Sequence, residues 1–241
     1  MNIKKLFGRK QDIPQCAAVI VAAGSSQRMG DDKLLMPIDG TPAVVMSVAA
    51  FEHCPDVNEM VIVTRIEKIP VLEKLFREAG FAKPIKIVEG ADTRQGSVAK
   101  GLAAVSADSE YIAIHDGARP LVTPAQISAC IASAVKYGAA ALGAKVKDTI
   151  KQVDADNIIE KTIDRSLLWA VHTPQIFEAK LYRRAMQHAA ESGKDYTDDC
   201  QLVEAVGQRV YMEPGGYENL KLTTPEDIIL AEAIVKRRKT V

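Results

Sequence analysis

Short apolar runs and amphipathic stretches alternate along most of this chain, and this alternation constrains the fold more than any other feature. The apolar runs have the length of β-strands and lie at residues 19–21, 60–64, 85–89, 111–115 and 139–146. The amphipathic stretches have helical periodicity and lie at residues 43–53, 70–79, 97–105 and 124–137. Strands and helices that alternate at this spacing form βαβ units. The sequence therefore predicts an α/β fold, with a mostly parallel twisted sheet and helices on both of its faces.

The length of the chain fits one domain. Its 241 residues, of which 47% are hydrophobic, can bury the core of one α/β domain. We therefore expect a single Rossmann-like domain over residues 16–241. Residues 1–15 include four basic side chains and lack the apolar stretch of a signal peptide, so they are expected to form a basic N-terminal extension with no assigned role.

Composition excludes several functional classes. The chain has 31 Lys and Arg against 31 Asp and Glu, so its formal net charge is zero, whereas nucleic-acid-binding proteins usually have a basic surface. No apolar run approaches the length of a membrane span. We therefore expect neither a nucleic acid nor a membrane as a partner. Cys16, Cys54, Cys130 and Cys200 lie far apart and are expected to be free, buried thiols of a cytoplasmic protein.

The segment from Val19 to Lys33 has the features of an anion-binding loop. A buried strand leads into the small residues 22–26, where Gly24 can adopt backbone angles closed to other residues. Successive backbone N–H groups in such a loop form a concave site for anions. Two cations, Arg28 and Lys33, follow at fixed offsets. This segment predicts a polyphosphate site, although its glycines alone would equally fit an ordinary turn between a strand and a helix.

Two better-known phosphate motifs are absent from this segment. No Gly-Lys-Ser/Thr follows the glycines, so it is not a Walker loop. The Gly-x-Gly-x-x-Gly spacing of dinucleotide-binding proteins is also missing, which argues against an NAD-dependent oxidoreductase.

Further candidate residues follow later strands, where ligands bind in parallel sheets. Residues 89–97 form a loop between Gly90 and Gly96, and Ser97 is expected to cap the next helix. The backbone of this loop could also contact the edge of a nucleobase, and the sequence does not separate the two roles.

The segment His115 to Pro120 follows another strand. Asp116 is a natural Mg²⁺ ligand if it faces the phosphate loop. Arg119 can bind a phosphate or hold Asp116, and a plain turn with an Asp–Arg pair is the alternative. His115 alternates to the other side of the strand and is expected to lie in the core.

Residues 147–169 alternate polar and apolar side chains and contain a polar turn at 154–157. This pattern predicts a β-hairpin. A two-stranded hairpin is marginally stable alone, so we expect it to project as an arm and pack on a second subunit.

Three later segments carry local signals. Residues 172–175 are expected to form a turn before a helix over 177–192, and Thr197 is expected to cap the next helix. Residues 219–223 read as a short strand that carries Lys221, which could be an edge residue facing water. Pro225 and the acids after it mark the start of the last helix.

Taken together, these motifs resemble the 2-C-methyl-D-erythritol 4-phosphate cytidylyltransferase family of the sugar-phosphate nucleotidyltransferases. The resemblance runs from about Cys16 to Lys236. Its most specific segments are His-Asp-Gly-Ala-Arg-Pro at 115–120, Lys-Asp-Thr-Ile-Lys at 147–151, Ile-Asp-Arg-Ser-Leu-Leu-Trp-Ala-Val-His-Thr-Pro-Gln at 163–175 and Asn-Leu-Lys-Leu-Thr-Thr-Pro-Glu-Asp at 219–227.

The resemblance implies Mg²⁺-dependent transfer of a cytidylyl group from CTP to 2-C-methyl-D-erythritol 4-phosphate. This reaction releases pyrophosphate and belongs to non-mevalonate isoprenoid precursor biosynthesis. The implied catalytic residues are Arg28, Lys33, Arg165 and Lys221. Those implied for CTP are Ala22, Ala23, Gly24, Ser25, Ala91, Asp92 and Ser97. Those implied for the acceptor are Asp116, Arg119, Thr149, Arg165, Thr197 and Lys221.

The resemblance also implies that the hairpin is a dimerisation arm that reaches into the partner's site. The sequence departs from the family pattern at Ala91, where a glycine is common, and at Cys200, where a smaller residue is common. Neither change removes a group that the chemistry requires.

Two other functions compete with this interpretation. A ribitol 5-phosphate cytidylyltransferase shares the fold and the loop, and differs in the acceptor pocket, where residues 163–169 favour the methylerythritol enzyme. A nucleotide-binding protein without activity is expected to lack Arg28, Lys33 or Asp116, and all three are present.

Overall fold

A seven-stranded sheet lies at the centre of the computed structural model, which describes residues 14–24 and 33–240. The strands of the described part are β1 (Cys16–Val21), β2 (Pro37–Ile38), β3 (Thr41–Pro42), β4 (Val57–Thr64), β5 (Ile85–Glu89), β6 (Tyr111–Asp116), β7 (Ala139–Lys145), β8 (Ile150–Val153), β9 (Ile159–Ile163), β10 (Trp169–Glu178) and β11 (Tyr211–Pro214). The order in the large sheet is β11-β7-β10-β6-β1-β4-β5, while β2-β3 and β8-β9 form separate pairs.

Most strands of the large sheet are parallel, as predicted. Strand β1 pairs in parallel with β4 and β6, β4 pairs in parallel with β5, and β11 pairs in parallel with β7. Only β10 runs antiparallel, between β6 and β7. The carboxyl ends of β1, β4, β5 and β6 therefore lie along one edge of the sheet.

Helices cover both faces of the sheet. They are α1 (Ala43–Glu52), α2 (Ile69–Ala79), α3 (Arg94–Ala104), α4 (Pro124–Tyr137), α5 (Ala179–Ser192), α6 (Asp199–Glu204) and α7 (Pro225–Thr240). Side chains of β1 alternate between two apolar cores: Ala18 and Ile20 pack with α1, α2, α4 and α7, and Ala17 and Val19 pack with α3, α5 and α6. This is the packing expected of a strand buried on both faces.

The turn predicted at residues 172–175 is wrong, because these residues lie inside β10. The pairing of β10 with β7 shifts register between Val171 and Gln175, and Pro174 lies at that irregularity. Because proline has no N–H to donate, it fits a strand where the ladder is interrupted. The following helix begins at Ala179, two residues later than expected.

Two further expectations near the carboxyl end were also wrong. Residues 219–223 form no regular strand, although Leu222 N donates to Ala118 O at 2.8 Å. Strand β11 was not predicted. The cap of α6 is Asp198, whose Oδ1 accepts from Gln201 N at 2.9 Å, and not Thr197.

The predicted hairpin is present as β8 and β9, joined by a turn in which Asn157 has a φ of 64°. Its side chains are largely exposed, and Leu167 at its base is 83% exposed. The four cysteines are free and buried, as expected. None of the helices in the described ranges is long and apolar enough to cross a membrane.

We predict that Gly101→Ala destabilises the fold. A Cβ at Gly101 would lie 2.5 Å from Val19 Cγ1 and 2.7 Å from Val63 Cγ2, so α3 could no longer approach β1 and β4 as closely. Overpacking of this kind costs about 1–3 kcal/mol, against a gain of about 1 kcal/mol in helix propensity. Urea titration should therefore give a lower free energy of unfolding, and an unchanged or higher value would contradict the prediction.

Candidate active site

A cleft of about 870 Å³ lies at the carboxyl ends of β1, β4, β5 and β6. Nine of the residues selected from the sequence line it: Ala22, Ala23, Gly24, Lys33, Ala91, Asp92, Ser97, Asp116 and Lys221. Such an edge of a parallel sheet is where α/β proteins bind ligands. The fold therefore brings together residues that are up to two hundred positions apart in the chain.

Residues 22–24, which follow β1, are held by hydrogen bonds to their backbone atoms. Ala22 N donates to Val63 O at 2.7 Å, and the hydroxyl of Thr64 donates to Ala22 O at 3.2 Å. Arg65 Nε donates to Ala23 O at 3.3 Å. Residues 22–24 are thus held against the end of β4, where they line the cleft. Ser25 and Arg28 lie outside the described residues.

The loop after β5 approaches the first loop closely. A Cβ at Gly90 would lie only 2.7 Å from the Cβ of Ala23, so a residue without a side chain is needed there. Ser97 Oγ accepts from Ala91 N at 3.0 Å and donates to Ala91 O at 3.1 Å. Ser97 therefore lies within α3 and holds the loop in shape. The N-cap of α3 is Thr93, and not Ser97 as predicted.

Asp116 is surrounded by three cations at the end of β6. Its Oδ2 lies 2.8 Å from Lys221 Nζ and 3.9 Å from Arg119 Nε, and its Oδ1 lies 3.6 Å from Arg94 Nη2. Burial acts to raise the pKa of Asp116, but Lys221, Arg94 and Arg119 outweigh it and hold the pKa at about 2. Asp116 is therefore ionised at neutral pH, and Lys221 is not the water-facing edge residue considered above.

Arg119 lies beside the cleft. Its Nη1 donates to Asn219 O at 2.7 Å, which ties the turn after β6 to the segment that carries Lys221. Three buried polar atoms in this region have no hydrogen-bond partner among the described residues: Arg119 Nε, His172 Nδ1 and Asn219 Oδ1. Buried polar atoms are usually paired, so these three atoms are exceptions in the packing beside the cleft.

His115 has the core position expected from the sequence. It is fully buried, with Nε2 3.2 Å from Arg119 O and Nδ1 3.0 Å from Thr173 Oγ1. Thr173 Oγ1 also accepts from Asp116 N at 3.0 Å. His115 thus supports the backbone on which Asp116 and Arg119 are placed.

Besides Arg119, three selected residues lie outside the cleft. Thr149 and Arg165 are exposed on the hairpin, where Arg165 donates to the carbonyl of Lys147. Thr197 is exposed and bonds the side chain of Gln201 through its N and Oγ1, at 3.2 and 3.3 Å. Within one chain, the acceptor residues therefore form two groups, one in the cleft and one on the hairpin and near α6.

Arg94 and Asp199 belong to this site but were not predicted from the sequence. Arg94 lines the cleft, and its Nη2 donates to Asp199 Oδ2 at 2.7 Å. The only sequence signal was the position of Arg94 inside the loop after β5, and nothing local connects it to a residue 105 positions away.

The described residues do not offer a prepared metal site. No group of three His, Cys, Asp or Glu side chains in ranges 14–24 and 33–240 could hold a metal ion. Both oxygens of Asp116 face cations, so this carboxylate does not fit a divalent cation in the arrangement described. The assignment of Asp116 as an Mg²⁺ ligand remains a prediction.

A family model for IspD, described as 2-C-methyl-D-erythritol 4-phosphate cytidylyltransferase, matches residues 16–237. The chain belongs to this family. The matched range contains the cleft, the hairpin and all three cations around Asp116. Membership of the IspD family makes the chain a CTP-dependent nucleotidyltransferase.

Individual IspD relatives match along nearly their whole length. The 2-C-methyl-D-erythritol 4-phosphate cytidylyltransferase of Caldanaerobacter subterraneus subsp. tengcongensis is 45% identical over 228 residues, covering 92% of this chain and 99% of that protein. The protein of the same name from Geobacillus thermodenitrificans is 41% identical over 223 residues, covering 92% and 97%.

Solved structures of IspD proteins have the same fold. The 4-diphosphocytidyl-2C-methyl-D-erythritol synthase of Anaerococcus prevotii gives a TM-score of 0.84 at 29% identity, covering 93% of this chain and all (100%) of that chain. The 2-C-methyl-D-erythritol 4-phosphate cytidylyltransferase of Thermus thermophilus gives a TM-score of 0.75 at 29% identity, covering 91% and 98%.

We predict that His115 makes stability fall in mild acid. Burial lowers the pKa of His115 from 6.5 to about 4, despite the opposing charge of Asp116. Between these values the unfolded chain binds a proton that the folded chain does not, so stability is lost as pH falls through this window. The loss amounts to about 3 kcal/mol.

The test compares His115→Gln with wild type in denaturant titrations from pH 7 to pH 4. The variant should lose less stability over this range, while His188→Gln, at an exposed site, should keep the wild-type dependence. Part of the slope should survive in His115→Gln, because burial also lowers the pKa of His172 to about 4. Identical slopes in wild type and His115→Gln would contradict the prediction.

Proposed function

We propose that this chain transfers the cytidylyl group of CTP to 2-C-methyl-D-erythritol 4-phosphate and forms 4-diphosphocytidyl-2-C-methyl-D-erythritol and pyrophosphate. One observation carries the proposal: in a chain that belongs to the IspD family, Lys33, Lys221 and the small residues 22–24 line the same cleft. Two anionic substrates can therefore meet beside fixed positive charge. The family match does not favour ribitol 5-phosphate as the acceptor.

The proposed reaction is attack of an acceptor phosphate oxygen on the α-phosphorus of CTP, with pyrophosphate leaving in line. The attacking phosphate is already ionised, so no side chain has to act as nucleophile or general base. The protein has to align two anions and stabilise the charge that develops on the α-phosphoryl oxygens. We assign this charge stabilisation to Arg28 and Lys33, with Lys221 and Arg165 holding the acceptor phosphate.

CTP is proposed to bind along the two loops of the cleft. The backbone at Ala22, Ala23 and Gly24, followed by Ser25, would hold the triphosphate, because successive N–H groups in such a loop form a site for anions. The loop with Ala91, Asp92 and Ser97 would bind the cytidine end. Its shape is fixed by the hydrogen bonds between Ser97 and Ala91, so the loop is formed before CTP arrives.

The acceptor is proposed to bind around Asp116, Arg119 and Lys221, with Thr149, Arg165 and Thr197 completing the pocket. Lys221 lies 2.8 Å from Asp116 and its side chain is 40% exposed, so it can turn toward a phosphate. Asp116 would then have an oxygen available for acceptor hydroxyls.

We propose that activity requires Mg²⁺. This ion would supply positive charge to the triphosphate, whose oxygens it prefers. Asp116 could contact the ion only after Lys221 has moved away, so metal retention by the protein without CTP is not expected.

We further propose that residues 16–241 form one domain, that residues 1–15 are a separate basic extension, and that the hairpin is a dimerisation arm. The apolar side chains exposed on or beside the hairpin support a partner there: Val153, Ile158, Ile159, Leu167 and Val171. The free cysteines support a reducing compartment, and so the cytoplasm.

The activity is tested by measuring pyrophosphate release with each nucleoside triphosphate and with either acceptor. We expect release from CTP that depends on both Mg²⁺ and 2-C-methyl-D-erythritol 4-phosphate. Equal or greater release with ribitol 5-phosphate would overturn the acceptor assignment, and release without Mg²⁺ would overturn the metal requirement.

The arm is tested by mixing two inactive variants. Lys33→Ala should lower turnover by roughly 10²-fold or more, because it removes a preorganised cation. Arg165→Ala should also be inactive if the arm completes the partner's site. A mixed dimer then has one site with both lesions and one with neither, so random exchange should restore about a quarter of wild-type activity.

Native mass spectrometry with one isotopically labelled chain shows whether subunits exchange. If mixed dimers form and the mixture stays inactive, Arg165 acts within its own chain and the shared site is wrong. A wild-type protein that is monomeric and fully active would also contradict the shared site.

A further inference from the structure

One guanidinium nitrogen of a cleft residue lies between two carboxylates. Arg94 Nη2 donates to Asp199 Oδ2 at 2.7 Å and lies 3.6 Å from Asp116 Oδ1. Arg94 is the first residue of α3, whereas Asp116 ends β6 and Asp199 begins α6. The guanidinium therefore connects three elements across the cleft.

Asp199 is placed to hold this guanidinium. It is only 3% exposed, and its second oxygen, Oδ1, accepts from the hydroxyl of Tyr182 at 2.6 Å. Tyr182 is fully buried on α5 and stacks on Phe177 of β10, with ring centroids 5.0 Å apart and an interplanar angle of 6°. The tyrosine thus fixes the carboxylate, and the carboxylate fixes Arg94.

Tyr182 and Asp199 do not themselves line the cleft. Their side chains are connected to the cleft through Arg94, which also faces Asp116. Burial alone would lower the pKa of Arg94, but Asp199 and Asp116 raise it above its usual value, so the guanidinium keeps its charge.

The CTP loop has supports that do not depend on Arg94. Ser97 holds Ala91 through two hydrogen bonds, and Thr93 Oγ1 accepts from Gly96 N at 3.0 Å. Disturbing Arg94 should therefore leave the backbone of this loop in place. At Asp116, Arg94 is the cation that the described residues supply to Oδ1, whereas Lys221 and Arg119 lie at Oδ2.

We propose that Tyr182 and Asp199 are positioning residues that fix Arg94, and that Arg94 in turn orients Asp116 for the acceptor. This inference rests on the proposed function, since it assigns Asp116 to the acceptor. It predicts a selective defect: binding of the acceptor weakens, while binding of CTP and turnover at saturating acceptor are preserved.

The first test is Tyr182→Phe, which removes the hydroxyl and keeps the stacked ring. The KM for 2-C-methyl-D-erythritol 4-phosphate should rise about tenfold, the factor that corresponds to one lost hydrogen bond. The Kd for CTP, measured by calorimetry without acceptor, and the kcat should each change less than about twofold.

Two control variants separate positioning from general destabilisation. Tyr111→Phe removes a tyrosine hydroxyl at the start of β6, at the other end of the strand from Asp116. Thr123→Ala removes the capping box of α4. It should lower the melting temperature by about as much as Tyr182→Phe does. Neither should change the acceptor KM. If Thr123→Ala raises it as much as Tyr182→Phe does, the effect is general loss of stability and the proposal fails.

The second test is a double-mutant cycle with Arg94→Lys, which keeps the charge and loses the planar group that can face two carboxylates. If Tyr182 acts through Arg94, the double variant should have no higher acceptor KM than the worse single variant. Additive increases would show that the two residues act separately and would overturn the proposal. Should Tyr182→Phe fail to fold, Asp199→Asn takes its place in the cycle.

The activity of the wild-type protein separates failure of the proposed function from failure of the positioning role. No cytidylyl transfer by the wild-type protein would refute the proposed function itself. If the wild type is active, two results for Tyr182→Phe would refute only the positioning of Asp116 by Arg94. One is an unchanged KM for the acceptor, and the other is a Kd for CTP that changes as much as this KM.

Discussion

A buried carboxylate between three cations organises this molecule's cleft. Asp116 ends the strand next to β1, and an unpaired charge there would be costly to bury. Its three partners come from separate places: Lys221 precedes α7, Arg94 begins α3, and Arg119 lies in the turn after β6. Because each cation needs its own element to be packed correctly, the charge pattern of the cleft depends on the whole sheet and on helices from both of its faces.

The same arrangement determines what substrates must do on binding. With Lys221 at 2.8 Å from Asp116, the two groups neutralise each other in the free protein. In the proposed reaction the acceptor carries both a phosphate and hydroxyls. Its phosphate can bind Lys221 and its hydroxyls can bind Asp116, so each residue exchanges its present partner for a group of the acceptor. A ligand with only one of these groups would leave the other half unpaired, so the ion pair favours polyol phosphates over simple phosphates.

Sequence patterns predicted the parts of the fold that depend on local signals. The helix over 124–137 was placed at its observed bounds from its amphipathic pattern, and the hairpin followed from its period-two pattern and polar turn. Strand β10 was missed because Thr173 and Pro174 look like a turn, and only its neighbours β6 and β7 make it a strand. The loop residues of the cleft were found because they follow strands, whereas Arg94 and Asp199 meet only through tertiary packing.

The residues that remain outside the cleft follow a physical pattern as well. Thr149 and Arg165 lie on a hairpin that packs on little of its own chain and exposes apolar side chains such as Leu167. The hairpin therefore exposes apolar surface that a second copy of the chain would cover. Packing of the arm on a partner would also carry Thr149 and Arg165 away from their own cleft. On these two grounds we propose that the acceptor pocket lies between two subunits.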